Sequence, residues 1–415
     1  MFDKPPTEAQ WQSWAWVVLW IGVIYATIPL ARGLVEIVDR QLGREVFLYL
    51  CLVPAVLAGI AAWRSLRQRQ LATGAYLCLA AVVLAFAVGI YLLRDIPEEA
   101  LHLVQYALLG LLFYRALTHR LRDYSIYPLA VLLTAMVGIV DEYIQWVVPT
   151  RYYDLADIRI NLIAGLLGQV GLACGLRPRL VAHAPTVASW RRLGYGIAAA
   201  LLLLSISFIN TPQRVSWYAQ QVPGLEFLLD GDSMMAQYGY LLRSPVGGEF
   251  RSRFDRAQLA TLDQRRGPEV VRILDRFLDG IAYREFLARY SILRDPYVHE
   301  IGVRVFRRKY HMDRAREAQV QTQAVSHYTI AYHENAILQA FYPTALNASR
   351  YAWSKAQTAQ VAAAADADAA YLSKVSSALI TRFSETEVCL LFVVAIGLAL
   401  GVGSLMARQQ REGSR

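Results

Sequence analysis

Long apolar runs separated by short charged segments dominate the first half of the chain and return near its end. Residues 14–31, 46–63, 71–93, 124–148, 193–209 and 388–406 approach or exceed the length that a helix needs to cross a hydrocarbon core, ~18–20 residues. Two weaker runs, 101–117 and 158–176, carry polar residues within a similar length. A lone segment in hydrocarbon satisfies its own backbone groups only as a helix, so the pattern predicts eight helical spans.

Between the seventh and eighth spans lies the one sizeable aqueous segment, residues 210–387. Its pattern also reads as helical. Val270, Val271, Ile273, Leu274, Phe277, Leu278 and Ile281 recur on one helix face behind Pro268, which suits a first helical position. Residues 303–342 contain no Gly or Pro, and neither do residues 344–396. Two long helices parted by Pro343 follow, the second predicted to run unbroken from residue 351 to 407 and into the last span. That helix would pack Leu372, Val375, Leu379 and Phe383 against its predecessor. Residues 214–242, with Trp217 and Tyr218, suggest an interfacial amphipathic piece interrupted by Pro223, Gly224 and Gly231. The expected fold class is all-α, a polytopic helical membrane bundle of about eight spans with a helical extracytoplasmic domain. Its divisions are 1–70 (two N-terminal spans), 71–176 (the polar-bearing spans), 177–209 (a cytoplasmic loop and span seven), 210–387 (the outer domain) and 388–415 (the last span and tail).

Composition agrees: 56% of the 415 residues are hydrophobic, too many for an ordinary soluble domain. The net charge of +9 would suit nucleic acid, but its placement points to a bilayer. Arg64, Arg67 and Arg69, then Arg115, Arg120 and Arg122, then Arg177, Arg179, Arg191 and Arg192, then Arg408, Arg411 and Arg415 crowd alternate loops and the tail. This is the positive-inside pattern, which predicts both termini in the cytoplasm and residues 210–387 outside. Nucleic acid is not an expected partner; the lipid bilayer is. Only Lys4 precedes the first apolar run and no small-residue cleavage site follows it, so that run reads as an uncleaved anchor. Trp11, Trp14, Trp16 and Trp20 suit an interfacial belt. Cys51, Cys78, Cys174 and Cys389 all fall in predicted spans, without CxxC or Cys/His metal spacing.

The informative stretch is IVDEYIQWVVPTRYYDLADIRINLIAGLLG, residues 139–168. Asp141 and Gln145 are spaced i,i+4, Glu142 and Gln145 i,i+3, and after the turn Asp157 and Asn161 repeat i,i+4. At ~1.5 Å per residue Asp141 sits on the order of 10 Å below the outer surface, within hydrocarbon. The preceding span adds Glu98, His102 and Tyr106 at i,i+4 spacing, with Glu99 three residues before His102. Ionisable groups in a span cost roughly 2.5–3.5 kcal/mol near its centre, so they face a bundle interior and mark sites.

In linked order, HxxxY at His102 and Tyr106, DExxQxxxPxR from Asp141 to Arg151, and DxxxNxxGxxG through Asp157, Asn161, Gly165 and Gly168 resemble the VanZ-like family over residues 71–176. The resemblance implies a bacterial membrane protein of unestablished biochemical activity, associated with teicoplanin-type glycopeptide resistance. Its recurrent polar positions are His102, Tyr106, Asp141, Glu142, Gln145, Pro149, Arg151, Asp157 and Asn161 here. Where many members carry Lys three residues before the histidine, this chain has Glu99.

Two functional readings follow. In one, an outer-leaflet pocket of His102, Tyr106, Asp141, Glu142, Gln145, Arg151, Asp157 and Asn161 binds a lipid-linked envelope component or a glycopeptide. In the other, His102 is a general acid/base, with Asp141 or Glu142 orienting it or holding a metal, acting on a lipid-linked phosphate or glycan. The same residues also suit a polar clasp, with Asp157 capping its helix and Arg151 or Arg159 neutralising Asp141 and Glu142. Proton-linked transport ranks last, since no repeated half or broken helix is present. No Ser or Cys nucleophile motif, Gly-rich phosphate loop or cofactor signature is found. In the outer segment, His299–Glu300 and His333–Glu334 lack the HExxH spacing, Val303 standing where the second histidine would be, and read as solvated helix residues.

Overall fold

The structure is a computed structural model whose described residues are 5–43, 45–69, 71–94, 97–231, 234–277 and 282–412. They divide into two compact units, one from residues 1–207 and 390–415, the other from 208–389.

The first unit opens with α1 (Gln10–Thr27), α2 (Ala31–Leu42), α3 (Glu45–Arg69) and α4 (Thr73–Leu92), followed by α5 (Pro97–Leu117), α6 (Ile126–Trp146), α7 (Leu155–Val170) and α8 (Val187–Ile209). A π-helical turn, Gly171–Leu176, extends α7. Seven helices among the described residues are long and apolar enough to cross a membrane, and the chain is a multi-pass membrane protein. The predicted first span is not among the seven: α1 begins with Gln10, Gln12 and Ser13, which lower its apolar character. Nor is the stretch after it an open loop, because α2 occupies it.

Helices α5, α6 and α7 form the heart of this unit. In their candidate spans 44–50% of residues are buried, against 11% for Tyr49–Arg69 and 22% for Thr73–Leu92. The poorly buried helices turn Leu57, Leu77, Leu84 and Leu92 outward, as lipid-facing surfaces do. Trp11 and Trp16 are exposed on α1, while Trp14 packs edge-on against Phe113 and Trp20 donates from Nε1 to the Gln105 carbonyl at 3.1 Å. Close approach in the heart depends on missing side chains. A Cβ on Gly138 would lie 2.9 Å from the Asn161 Cβ, and one on Gly165 2.9 Å from the Thr134 Cγ2. At the opposite end of α5, Arg115 grips Glu8 through Nε and Nη2, both at 2.5 Å, and this guanidinium holds the Glu8 carboxyl down to about 2.

The second unit contains α9 (Pro212–Gln221), a 3₁₀ turn Glu226–Asp230, an antiparallel hairpin of β1 (Tyr240–Ser244) and β2 (Gly248–Ser252), then α10 (Arg256–Phe277), α11 (Ala282–Arg289), α12 (Pro296–Glu317), α13 (Gln321–Phe341), α14 (Pro343–Asn347) and α15 (Lys355–Ala364). The chain ends in α16 (Glu385–Glu412), the seventh candidate span. The fold is all-α apart from this small hairpin and a few isolated bridges.

Several helix boundaries differ from expectation. Pro268 lies inside α10, which starts at Arg256; Val270 and Leu274 from its predicted face are buried, and Leu278 and Ile281 lie outside the described residues. The 214–242 stretch is no single amphipathic piece, because α9, the 3₁₀ turn and the start of β1 share it. The Gly- and Pro-free run at 303–342 is broken at 318–320, where Ala318 and Val320 are extended, so α12 and α13 fold back as a hairpin.

The unbroken helix expected from 351 to 407 does not form: α15 stops at Ala364, Ala365 is extended and α16 begins only at Glu385. The intervening chain pairs with the hairpin and with the residues just before it. Ser373 N donates to Glu249 O at 2.8 Å, Glu249 N to Tyr371 O at 2.8 Å, and Ile380 N to Gln237 O at 2.8 Å. Tertiary backbone pairing here overrides the helix propensity of an alanine-rich stretch. Val375 and Leu379 are buried, while Leu372 and Phe383 are exposed.

The expectation of solvated His299, Glu300, His333 and Glu334 also fails, for all four are buried. His299 Nδ1 meets the Tyr290 carbonyl at 2.9 Å and His333 Nδ1 the Val246 carbonyl at 3.1 Å, while the two glutamates meet at Arg304 across the α12/α13 hairpin. Arg304 Nη2 lies 3.4 Å from Glu300 and Nη1 3.4 Å from Glu334. The Tyr342 hydroxyl donates to Glu300 at 2.8 Å and the Tyr371 hydroxyl to Glu334 at 2.8 Å.

Candidate functional site

Three helices place the polar turn. Helix α6 carries Asp141, Glu142 and Gln145 on its buried side in its last two turns. Asp154 then caps α7, its side chain accepting from Ala156 N at 2.7 Å, and fixes where Asp157 and Asn161 lie in the first turns. Helix α5 brings His102 and Tyr106, one turn apart and with stacked rings 5.8 Å between centroids. The glycine at 138 lets α7 approach α6 until Asn161 is wholly buried between them.

His102 Nδ1 is 3.2 Å from Asn161 Oδ1 and 3.9 Å from Asp141 Oδ2. Gln145 is the hub beside this pair. Its Nε2 donates to Glu142 Oε1 at 2.6 Å and faces Asp141 Oδ2 at 3.5 Å, while its Oε1 accepts from Arg151 Nε at 2.9 Å and Nη2 at 2.6 Å. Arg151 thus reaches the two carboxylates through an amide. The second Glu142 oxygen accepts from Asp154 N at 2.8 Å, tying the end of α6 to the start of α7. Asp157 is within electrostatic reach of Glu99, Asp154, Arg151 and Asp141.

All eight sequence-predicted residues, His102, Tyr106, Asp141, Glu142, Gln145, Arg151, Asp157 and Asn161, lie at this one end of the bundle. The clasp reading changes in two particulars: Asp154, not Asp157, is the helix cap, and Arg159 is exposed. The Glu98 side chain lies outside the description. Three contributors were not singled out from sequence. Asp154 was legible as an N-cap residue ahead of an apolar run, and Gly138 stands one turn before Glu142. Tyr25, from α1, donates to the Val137 carbonyl at 3.0 Å and interacts electrostatically with Asp141 and Tyr106, and nothing in its local sequence signals this.

Asp157 Oδ1 and Asn161 Nδ2 are buried in the cluster without a hydrogen-bond partner, while the Tyr106 hydroxyl and the Asp141 carboxylate lie against each other. Buried polar atoms are ordinarily paired, so an unpaired acceptor on Asp157 and an unpaired donor on Asn161 suit a ligand that carries hydroxyl or amide groups. Among the described residues, no three His, Cys, Asp or Glu side chains gather as a metal site would require.

No family model, curated protein or solved structure matches this chain.

Proposed function

We propose that the polar turn is a binding site of VanZ-like type, open to the outer face of a bacterial inner membrane, for the hydroxyl- and amide-rich head of a lipid-linked glycan or a teicoplanin-type glycopeptide. The observation that carries this reading is the pair of buried polar atoms without partners, Asp157 Oδ1 and Asn161 Nδ2, the latter on the residue that meets His102. A packing clasp would gain nothing from leaving them unpaired, each such group costing about 1–3 kcal/mol. Support for the orientation comes from the arginines crowding the ends of α3 and α5 and the 177–192 segment, away from the polar turn.

The His102–Asp141 approach favours a second reading, in which His102 exchanges a proton with a bound lipid-linked phosphate or glycan and Asp141 positions the ring. His102→Gln would then abolish turnover and keep binding, whereas in the binding reading it weakens binding itself.

The test is expression of the full chain in a glycopeptide-susceptible bacterium, with teicoplanin susceptibility, membrane level and melting temperature read together. The wild type lowers susceptibility; Arg151→Lys, whose ammonium cannot hold Gln145 with a planar fork, and Asn161→Leu abolish the effect at normal membrane level. No change in susceptibility with the wild type, or loss of function only where melting falls in step, sinks the binding reading.

A further inference from the structure

The second unit holds a cavity of about 270 Å³ to which neither functional reading refers. Its walls are apolar at Leu287, Val303 and Leu379 and polar at Arg253, Gln237 and Ser376. A small volume with mostly apolar walls and a few grouped polar side chains is the usual form of a small-molecule site.

The charge beneath the cavity defines what would enter it. Arg253, Arg304 and Arg307 form ion pairs with only two carboxylates: Arg253 with Glu300 at 3.8 Å, Arg304 with Glu300 and Glu334 each at 3.4 Å, and Arg307 with Glu334 at 3.3 Å. Both carboxylates are fully buried and also accept from tyrosine hydroxyls. Three guanidinium groups thus share two carboxylates; Arg307 is 22% exposed and meets solvent, whereas Arg253 is 11% exposed. Of the three arginines, Arg253 lines the cavity.

The guanidinium is also held in place. Its Nε and Nη2 donate to Gln237 Oε1 at 3.1 and 2.8 Å, and its Nη1 to Ser376 Oγ at 3.3 Å. Ser376 has φ of +55°, a left-handed backbone that a serine adopts at a cost, maintained by Leu379 N donating to its carbonyl at 3.1 Å. Strain retained at a cavity rim beside a fixed arginine is a preorganised anion subsite.

We propose that this cavity binds a small organic anion, a carboxylate or phosphate monoester on a short hydrocarbon body, with the anion on Arg253 and the hydrocarbon against Leu287, Val303 and Leu379. Gln237 holds the Nε/Nη2 edge, so either head group would meet the remaining N–H groups of the terminal nitrogens.

Calorimetric titration of the full chain in nanodiscs of zwitterionic lipid, with empty nanodiscs subtracted, tests this using hexanoate, hexyl phosphate, hexanol and hexylammonium. One equivalent of hexanoate or hexyl phosphate is expected to bind, the stronger of the two naming the head group, with hexanol and hexylammonium at least about tenfold weaker. Arg253→Lys, which keeps the charge and loses the fork, and Ala378→Trp, which fills the cavity from its exposed rim, should each weaken binding by about tenfold or more. Absence of binding by both anions, equal binding of hexanol, or unchanged binding in both variants overturns the proposal.

Discussion

The two units each bury a polar cluster, and the clusters are opposite in character. In the polar turn, among the described residues, Asp141, Glu142 and Asp157 outnumber Arg151, which is half-buried and acts through Gln145. In the α12/α13 hairpin the arginines outnumber the carboxylates and engage them directly, with Arg304 wholly buried between Glu300 and Glu334. A fourth arginine there, Arg308, is pushed down to about 9 by burial; it donates to Asn335 Oδ1 and the Tyr351 carbonyl, both at 2.5 Å, and stacks 4.8 Å from the Trp353 ring. The difference teaches which cluster builds the fold. Carboxylates paired directly with arginines are structural cross-links, even though Arg304, Arg307 and Arg308 each keep a buried Nε without a hydrogen bond; the polar turn instead leaves an acceptor on Asp157 and a donor on Asn161 unpaired.

The largest expected effect comes from breaking the arginine-rich side. Arg304→Met strands two buried carboxylates and should cost about 3–5 kcal/mol, read as a drop in chemical-denaturation midpoint of the second unit; adding Glu334→Gln should recover part of it. A loss no greater than that of an exposed substitution would remove the contrast between the two clusters.

Next is the packing that assembles the acidic side. Gly138→Val brings a branched side chain to a position where a Cβ alone would lie 2.9 Å from Asn161. Forced overpacking of this kind costs about 1–3 kcal/mol. It should lower the melting temperature of the first unit and abolish the proposed resistance together; a variant with wild-type melting would show that the helices yield without strain.

A smaller effect is pH dependence of the second unit. His311 Nδ1 faces His327 Nδ1 at 2.8 Å, a pairing possible only if at least one ring nitrogen is unprotonated. Burial first, then Arg307, His327 and Lys374, push His311 down from its ordinary 6.5 to about 4. The unfolded chain therefore takes up the proton first, so stability is full above about 6.5 and is lost as pH falls through the window to about 4. The loss is modest because half-buried His327 leaves water access. Denaturation midpoints from pH 7 to 4 should fall for the wild type and flatten for His311→Gln; identical slopes would assign the dependence elsewhere.

The smallest effect sharpens the comparison from the other side. Asp141→Asn keeps the shape of a carboxylate that Arg151 reaches only through Gln145, and should change stability by under about 1 kcal/mol. A multi-kcal/mol loss would make Asp141 a cross-link like Glu334 and favour the clasp.

Much of the first unit was legible because a bilayer allows few solutions. Apolar runs of sufficient length become helices, so seven of the eight predicted spans reappear among the candidate spans, and i,i+4 spacing alone put Asp141 with Gln145 and Asp157 with Asn161 on common faces. The cluster's wiring was not legible. That Arg151 addresses Gln145, that Asp154 is the cap and that Tyr25 reaches the site from α1 depend on how separate helices meet.

In the second unit the same habits of reading misled. Alanine-rich and Gly/Pro-free stretches permit helix without requiring it, and residues 365–384 instead supply bridging backbone to Gln237 and Glu249. Glu300 and Glu334 read as solvated helix residues; only the packing of α12 against α13 joined them through Arg304 in a buried network. The sequence by itself determined the apolar lengths, the polar faces and the charge alternation, since these are periodicities along one helix. Which polar atoms found partners, and which were left unpaired, was decided by the tertiary structure, because pairing across helices depends on register and approach distance that no single segment encodes.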